Sequence, residues 1–150
     1  MHAGAVLVTN HVLSGAVLGA AQPLAGRPAA AYAAGFISHL LLDQVPHWGD
    51  PERSTFLKVA VADGLTGLAA MALMTRAAPR GRKLSVLAGM AGAATPDLDK
   101  PSDLFFGASP FPARFDAFHG RIQRESTRRM PQEFVVAAGL AALALALMRR

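Results

Sequence analysis

The chain contains no cysteine. A disulfide framework and a thiolate zinc site are therefore both excluded, and any metal site must be built from His, Asp and Glu. Charge is scarce: 17% of the 150 residues are Asp, Glu, Lys or Arg, against about 25% in an ordinary soluble domain. Also lacking is an unbroken apolar run of the roughly 20 residues expected of a clean membrane span. No internal repeat is evident. The opening MHAGAVLVTN has no basic n-region, which argues against a cleaved signal peptide.

What is present is apolar. Hydrophobic residues make up 52% of the chain, and the mean hydropathy is +0.30. Five apolar runs cover residues 12–24, 28–42, 59–75, 84–96 and 134–148. The last, FVVAAGLAALALALM, has no polar side, and a helix apolar all round is either deeply buried or in lipid. A chain of this size has too much surface to hide several such helices from water. The expected architecture is all-α: a single domain, residues 1–150, folded as a small integral membrane bundle of about five short helices. The net charge of +5 and pI near 10.7 then reflect contact with anionic lipid headgroups. Nucleic acid is not expected as a partner of so apolar a chain.

Punctuation divides the runs. Gly26 and Pro28 mark the first boundary, and Pro46 ends the second helix near Gln44. Ser54 reads as an N-cap, and residues 54–58 would extend the third run. RAAPRGRK is a basic turn. Thr95-Pro96-Asp97 reads as an N-cap, a first-position proline and a first-turn acid. Residues 97–133 form a long polar connection. Within it, RFDAFHGRIQREST puts Phe115, Phe118 and Ile122 on one helical face, with Arg114, Arg121, Arg124 and Arg128 mostly elsewhere. That is the pattern of an amphipathic helix lying at a bilayer interface. Gly15 and Gly19 form a GxxxG that lets helices approach closely.

Alternating the five runs across a membrane sorts the polar residues. One side receives Arg27, Arg76, Arg80, Arg82, Lys83, Arg149 and Arg150, and no acid. The other receives the remaining basic residues, all ten acids and all five histidines: His2, His11, His39, His47 and His119. The purely basic side, in short loops, leans to the cytoplasm. The groups capable of chemistry gather on the opposite face.

His39 and Asp43, in SHLLLD, share one helical face one turn apart. They can ligate a metal ion together, or simply hydrogen-bond at a helix end. His47 follows after Pro46 and would approach from the turn, unless it is an ordinary turn histidine beside an interfacial Trp48. Asp63 lies within an apolar run, where a carboxylate is expensive and a functional candidate by default; snorkelling or pairing with a cation is the alternative. His11, at the start of the first run, carries a similar argument. Asp97 and Asp99 form P-D-L-D, and two acids this close favour a cation between them or a helix N-terminus. His119 is the one histidine of the long connection.

TNHVLSGAVLGA, GFISHLLLDQVPHW, TPDLDKPSDLFFG and FHGRIQ together resemble the bacterial inner-membrane, YdjM-like predicted metal-dependent hydrolases. That family looks related to the zinc-dependent phospholipase C and single-strand nuclease superfamily. His11 matches its early histidine, His39 and Asp43 its S-H-x-x-x-D helix, and Asp97 and Asp99 its P-D-x-D motif. His119 matches its downstream histidine stretch, with the following glycine and arginine exchanged. The resemblance implies a multi-pass inner-membrane phosphoesterase acting on lipid or another phosphoester at the membrane surface. Asp97, Asp99 and His119 would be catalytic. His11, His39, Asp43, His47, Asp63, Asp97, Asp99 and His119 would supply ligands to one to three divalent ions. Zinc is the first candidate, and mixed His/Asp ligands also suit manganese or magnesium. Two other classes compete: a non-catalytic membrane protein with a structural or regulatory metal site, and an ion or proton pathway using Asp63, His11 and His39. The pathway is disfavoured because the basic-side halves of the helices carry almost no polar residues.

Overall fold

The computed structural model describes residues 7–150, so His2 lies outside the described residues. These fold as α1 (Val8–Ala20), α2 (Pro28–Leu42), α3 (Arg53–Ala77), α4 (Lys83–Ala94), α5 (Asp99–Phe106), α6 (Ala113–Ile122) and α7 (Met130–Met148). Short 3-10 turns join them, and the one β-type feature among the described residues is an isolated bridge between His47 and Glu125. The fold is all-α, as expected. The five apolar runs become α1, α2, α3, α4 and α7, while the long connection adds α5 and α6.

The helices are not alike in length. Arg53–Ala77 and Thr127–Met148 are long and apolar enough to cross a membrane, with only 6% and 11% of their most apolar windows buried. Their outward residues include Leu65, Leu68, Leu73, Phe134 and Val135, all exposed. By contrast α1, α2 and α4 have 13, 15 and 12 residues, or about 18–23 Å at 1.5 Å per residue. That falls short of a hydrocarbon core of about 30 Å, which five equivalent spans would have to cross.

Two expected helix starts are corrected. The N-cap of α3 is Glu52, not Ser54: its carboxylate accepts from the backbone N–H of Ser54 and Thr55, satisfying two donors that the first turn leaves unpaired. Thr95 caps nothing. The chain runs from α4 through a 3-10 turn (Thr95–Leu98) into α5, and the Thr95 hydroxyl turns back to donate to the Ala91 carbonyl at 2.8 Å.

α1 is the central helix, packed by α2, α3, α4 and α7. Its contact with α4 is backbone on backbone: a Cβ added at Gly15 would overlap the Gly89 carbonyl. The same holds between α2 and α4, where a Cβ at Gly35 would overlap Gly89. The core, including Val12, Ala16, Met74, Val86, Met90, Ala144 and Met148, fills the bundle around α1. At the basic end, Arg82 Nη1 donates to the Leu147 and Ala20 carbonyls at 2.9 and 3.4 Å, placing a cation on the negative C-terminal ends of α7 and α1. At the opposite end Glu133 accepts from Asn10 Nδ2 at 2.6 Å and from the Trp48 backbone N–H at 3.0 Å. This ties α1, α7 and the turn after α2 together. Trp48 is thereby buried and is not the exposed interfacial tryptophan its position suggested.

Candidate metal centre

Three helices and a turn deliver the site. α1 contributes His11 from its first turns, and α2 contributes His39 from its last turn and Asp43 just past its end. The 3-10 turn after α4 supplies Asp97, and α6 supplies His119. A backbone strap sets α6 in place: His47 N–H donates to the Arg124 carbonyl, Ser126 N–H to the His47 carbonyl, and Arg124 N–H to the Asp43 carbonyl, at 2.9, 2.9 and 3.2 Å. Phe115 then packs on Phe36 and on the His119 ring, at centroid distances of 5.9 and 5.8 Å. Phe115 therefore covers the centre, while Phe118, expected on the same face, stays 39% exposed.

His39, Asp43, Asp97 and His119 point their polar atoms at one spot. His39 Nε2 and His119 Nε2 are 3.0 Å apart. Asp43 Oδ2 lies 3.2 Å from the first and 2.9 Å from the second. Asp97 Oδ1 lies 3.8 and 3.9 Å from the same two nitrogens. A tetrahedral ion with bonds of 2.0–2.2 Å needs ligand atoms about 3.3–3.6 Å apart. The set brackets that spacing, so the residues fit a divalent ion. His11 stacks on His39 with centroids 3.7 Å apart and turns Nε2 to Asp43 Oδ1 at 3.3 Å.

Tautomer chemistry supports the same conclusion. His39 Nδ1 is 2.7 Å from the Ala93 carbonyl. A carbonyl only accepts, so Nδ1 carries the hydrogen and a neutral ring presents the Nε2 lone pair to the cluster. This is the outer hydrogen bond that orients metal-binding histidines. Burial sharpens the case: His11, His39 and Asp43 are 0% exposed. Both His11 ring nitrogens and Asp43 Oδ1 are buried with no hydrogen-bond partner. Orphaned polar atoms of this kind are rare in folded proteins; a cation would satisfy Asp43 Oδ1 and the lone-pair nitrogen of His11, whose other nitrogen carries the ring hydrogen.

Charge at the rim is organised by Lys100. Its ammonium hydrogen-bonds Asp97 Oδ1 and lies 3.7 Å from Asp99 Oδ1, while Asp99 Oδ2 lies 3.6 Å from His119 Nδ1. Burial pushes the Asp97 carboxyl up, but the Lys100 charge, with His39 and His11 behind it, outweighs that and holds it below the usual carboxylate range. Burial disfavours the Lys100 ammonium, yet Asp97 and Asp99 raise its pKa overall. Burial also opposes protonation of His119, but the hydrogen bond to Asp43 and the nearby Asp99 carboxylate outweigh it and push it up to about 9.

The structure therefore gathers His11, His39, Asp43, Asp97, Asp99 and His119. It does not bring in the other two expected ligands. Asp63 accepts from the backbone N–H groups of Val8 and Thr9, capping α1 from a neighbouring helix. His47 serves the backbone strap, with Nδ1 on the Val45 carbonyl at 2.8 Å. Sequence reasoning missed the Ala93 carbonyl, which has no residue signature, and Lys100, whose place beside P-D-L-D was a usable signal. Compared with family models, curated proteins and solved structures, the chain matches none.

Proposed function

We propose that this protein is a multi-pass bacterial inner-membrane protein carrying a divalent-metal hydrolase centre, with a phosphoester as substrate and lipid as its surroundings. The observation that supports the metal reading is the convergence of His39 Nε2, His119 Nε2, Asp43 Oδ2 and Asp97 Oδ1 beside orphaned atoms of His11 and Asp43. The membrane reading draws on two long, apolar, outward-facing helices.

His39, His119 and Asp43 would hold the ion, since their three atoms form the tightest triangle, 2.9–3.2 Å on each side. A bound zinc ion supplies Lewis acidity and lowers the pKa of its water to about 7. Asp97, set back at 3.8 and 3.9 Å, is the carboxylate placed to take the proton from an attacking water. Asp99 lies beside His119 Nδ1 at 3.6 Å, and Lys100 keeps Asp97 ionised.

A second reading keeps the ion but not the reaction. His39, Asp43 and His119 are at most 1% exposed, and with Asp97 as a fourth ligand the site would be closed, as structural zinc sites are. One experiment separates the two. Detergent-purified protein is assayed for metal content and for hydrolysis of bis-p-nitrophenyl phosphate and of short-chain phospholipid micelles. Asp43→Ala is expected to lose the metal. Asp97→Asn is expected to keep it and lose turnover by about 10²-fold or more, the usual contribution of a positioned base. Metal without turnover in the wild type favours the structural site; no metal in the wild type removes both readings.

A further inference from the structure

The cation-binding groups of the centre do not all face one point. Asp97 Oδ1 looks two ways: toward the nitrogens of His39 and His119 at 3.8 and 3.9 Å, and toward the Lys100 ammonium, to which it is hydrogen-bonded. Asp99 also has two directions, with one oxygen 3.6 Å from His119 Nδ1 and the other 3.7 Å from Lys100 Nζ. Two-metal centres hold their ions about 3.5–4 Å apart, close enough for one carboxylate to face both positions. Here one of those positions is filled by the protein itself. Its placement is local: Asp97 and Lys100 are three apart across the turn into α5, so they share a face.

We propose that the Lys100 ammonium takes the place of a second divalent ion, so that the centre binds one metal ion and no more. This rests on the metal reading above. The charges balance: Asp43, Asp97 and Asp99 contribute −3, one divalent ion contributes +2 and Lys100 contributes +1, for a total of 0. A second divalent ion beside Lys100 would leave +2 among side chains that are mostly buried, where an uncompensated charge is costly. Removing the lysine charge leaves −1 and frees the oxygens of Asp97 and Asp99 that Lys100 now holds. Those oxygens, with His119 Nδ1 nearby, are the donor types that a second zinc or manganese ion takes.

The test uses full-length protein in detergent, stripped with a chelator, titrated with zinc alone, and read as ions per chain by native mass spectrometry and elemental analysis. The wild type is expected to saturate at one ion, Lys100→Arg at one, and Lys100→Met at two. Manganese resonance spectra give an independent readout: a single-ion signal in the wild type and a spin-coupled pair in Lys100→Met. Lys100→Gln, with a polar side chain of similar reach, replaces Lys100→Met if the latter does not fold. Two ions in the wild type, or one ion in both neutral variants, overturns the inference and leaves the metal centre standing. No ion in the wild type overturns the metal reading and this inference with it.

Discussion

Nε2 of His119 lies 2.9 Å from Oδ2 of Asp43, across 76 residues of chain. The contact exists because the strap from His47 to Ser126 lays the end of α6 beside the end of α2. It has a consequence for pH. Without an ion, the hydrogen bond to Asp43 and the nearby Asp99 carboxylate hold His119 protonated up to about 9, above its ordinary 6.5. Its proton therefore stabilises the metal-free fold fully below pH 6.5, and that contribution is lost as pH rises toward 9. Metal binding needs the neutral ring, so the ion must displace the proton. Zinc affinity is expected to rise with pH between about 6.5 and 9, with proton release on binding. Calorimetric titration in buffers of different ionisation enthalpy checks this, and pH-independent affinity would contradict it.

Asp63 is expected to matter for folding but not for metal. It accepts from the Val8 and Thr9 backbone N–H groups, which α1 cannot satisfy within itself. Asp63→Ala should cost about 0.5–2 kcal/mol, the range of a lost N-cap, while zinc stoichiometry stays that of the wild type. Thermal melting and metal analysis of the variant together decide the matter, and loss of the ion would make Asp63 a ligand after all.

The centre depends on how closely α2 approaches α4. A Cβ at Gly35 would meet the Gly89 carbonyl and the Ala93 amide. Gly35→Ala must push α2 outward, moving His39 from the Ala93 carbonyl that orients it. We expect a lower melting temperature and zinc affinity weakened by about 10-fold or more, as for other losses of an orienting partner. Gly139→Ala, which meets nothing within 4 Å, is expected to be neutral or to stabilise α7 by up to about 1 kcal/mol.

Membrane placement can be read with single cysteines, since the native chain has none. Pro51→Cys and Asp103→Cys, both at exposed positions at the acidic end, are expected to react with an impermeant thiol reagent from the same side of an intact membrane. Gly81→Cys, at the basic end beside Arg82, should react from the other. Labelling of Pro51→Cys and Gly81→Cys from one side would remove the alternating topology.

Sequence alone determined what is local. Hydrophobic runs broken by Gly26, Pro28 and Pro46 delimit the helices, because glycine and proline act within a turn of where they stand. The four-residue step from His39 to Asp43 put both on one face, because a helix repeats every 3.6 residues. Gathering the acids and histidines at one end needed only the alternation of successive helices. Tertiary structure decided which of those groups meet. Asp63 and His11 looked alike in sequence, as polar residues in apolar runs, yet one caps a neighbouring helix and the other stacks on His39. Trp48 and Phe115 had the composition of a bilayer interface, but Glu133 draws the first inward and Phe36 the second. Lys100 acquires its role from two carboxylates that a short turn folds around it. Each of these outcomes depends on contacts between elements, where burial makes unpaired polar atoms costly, and local spacing carries no record of which partner will remove that cost.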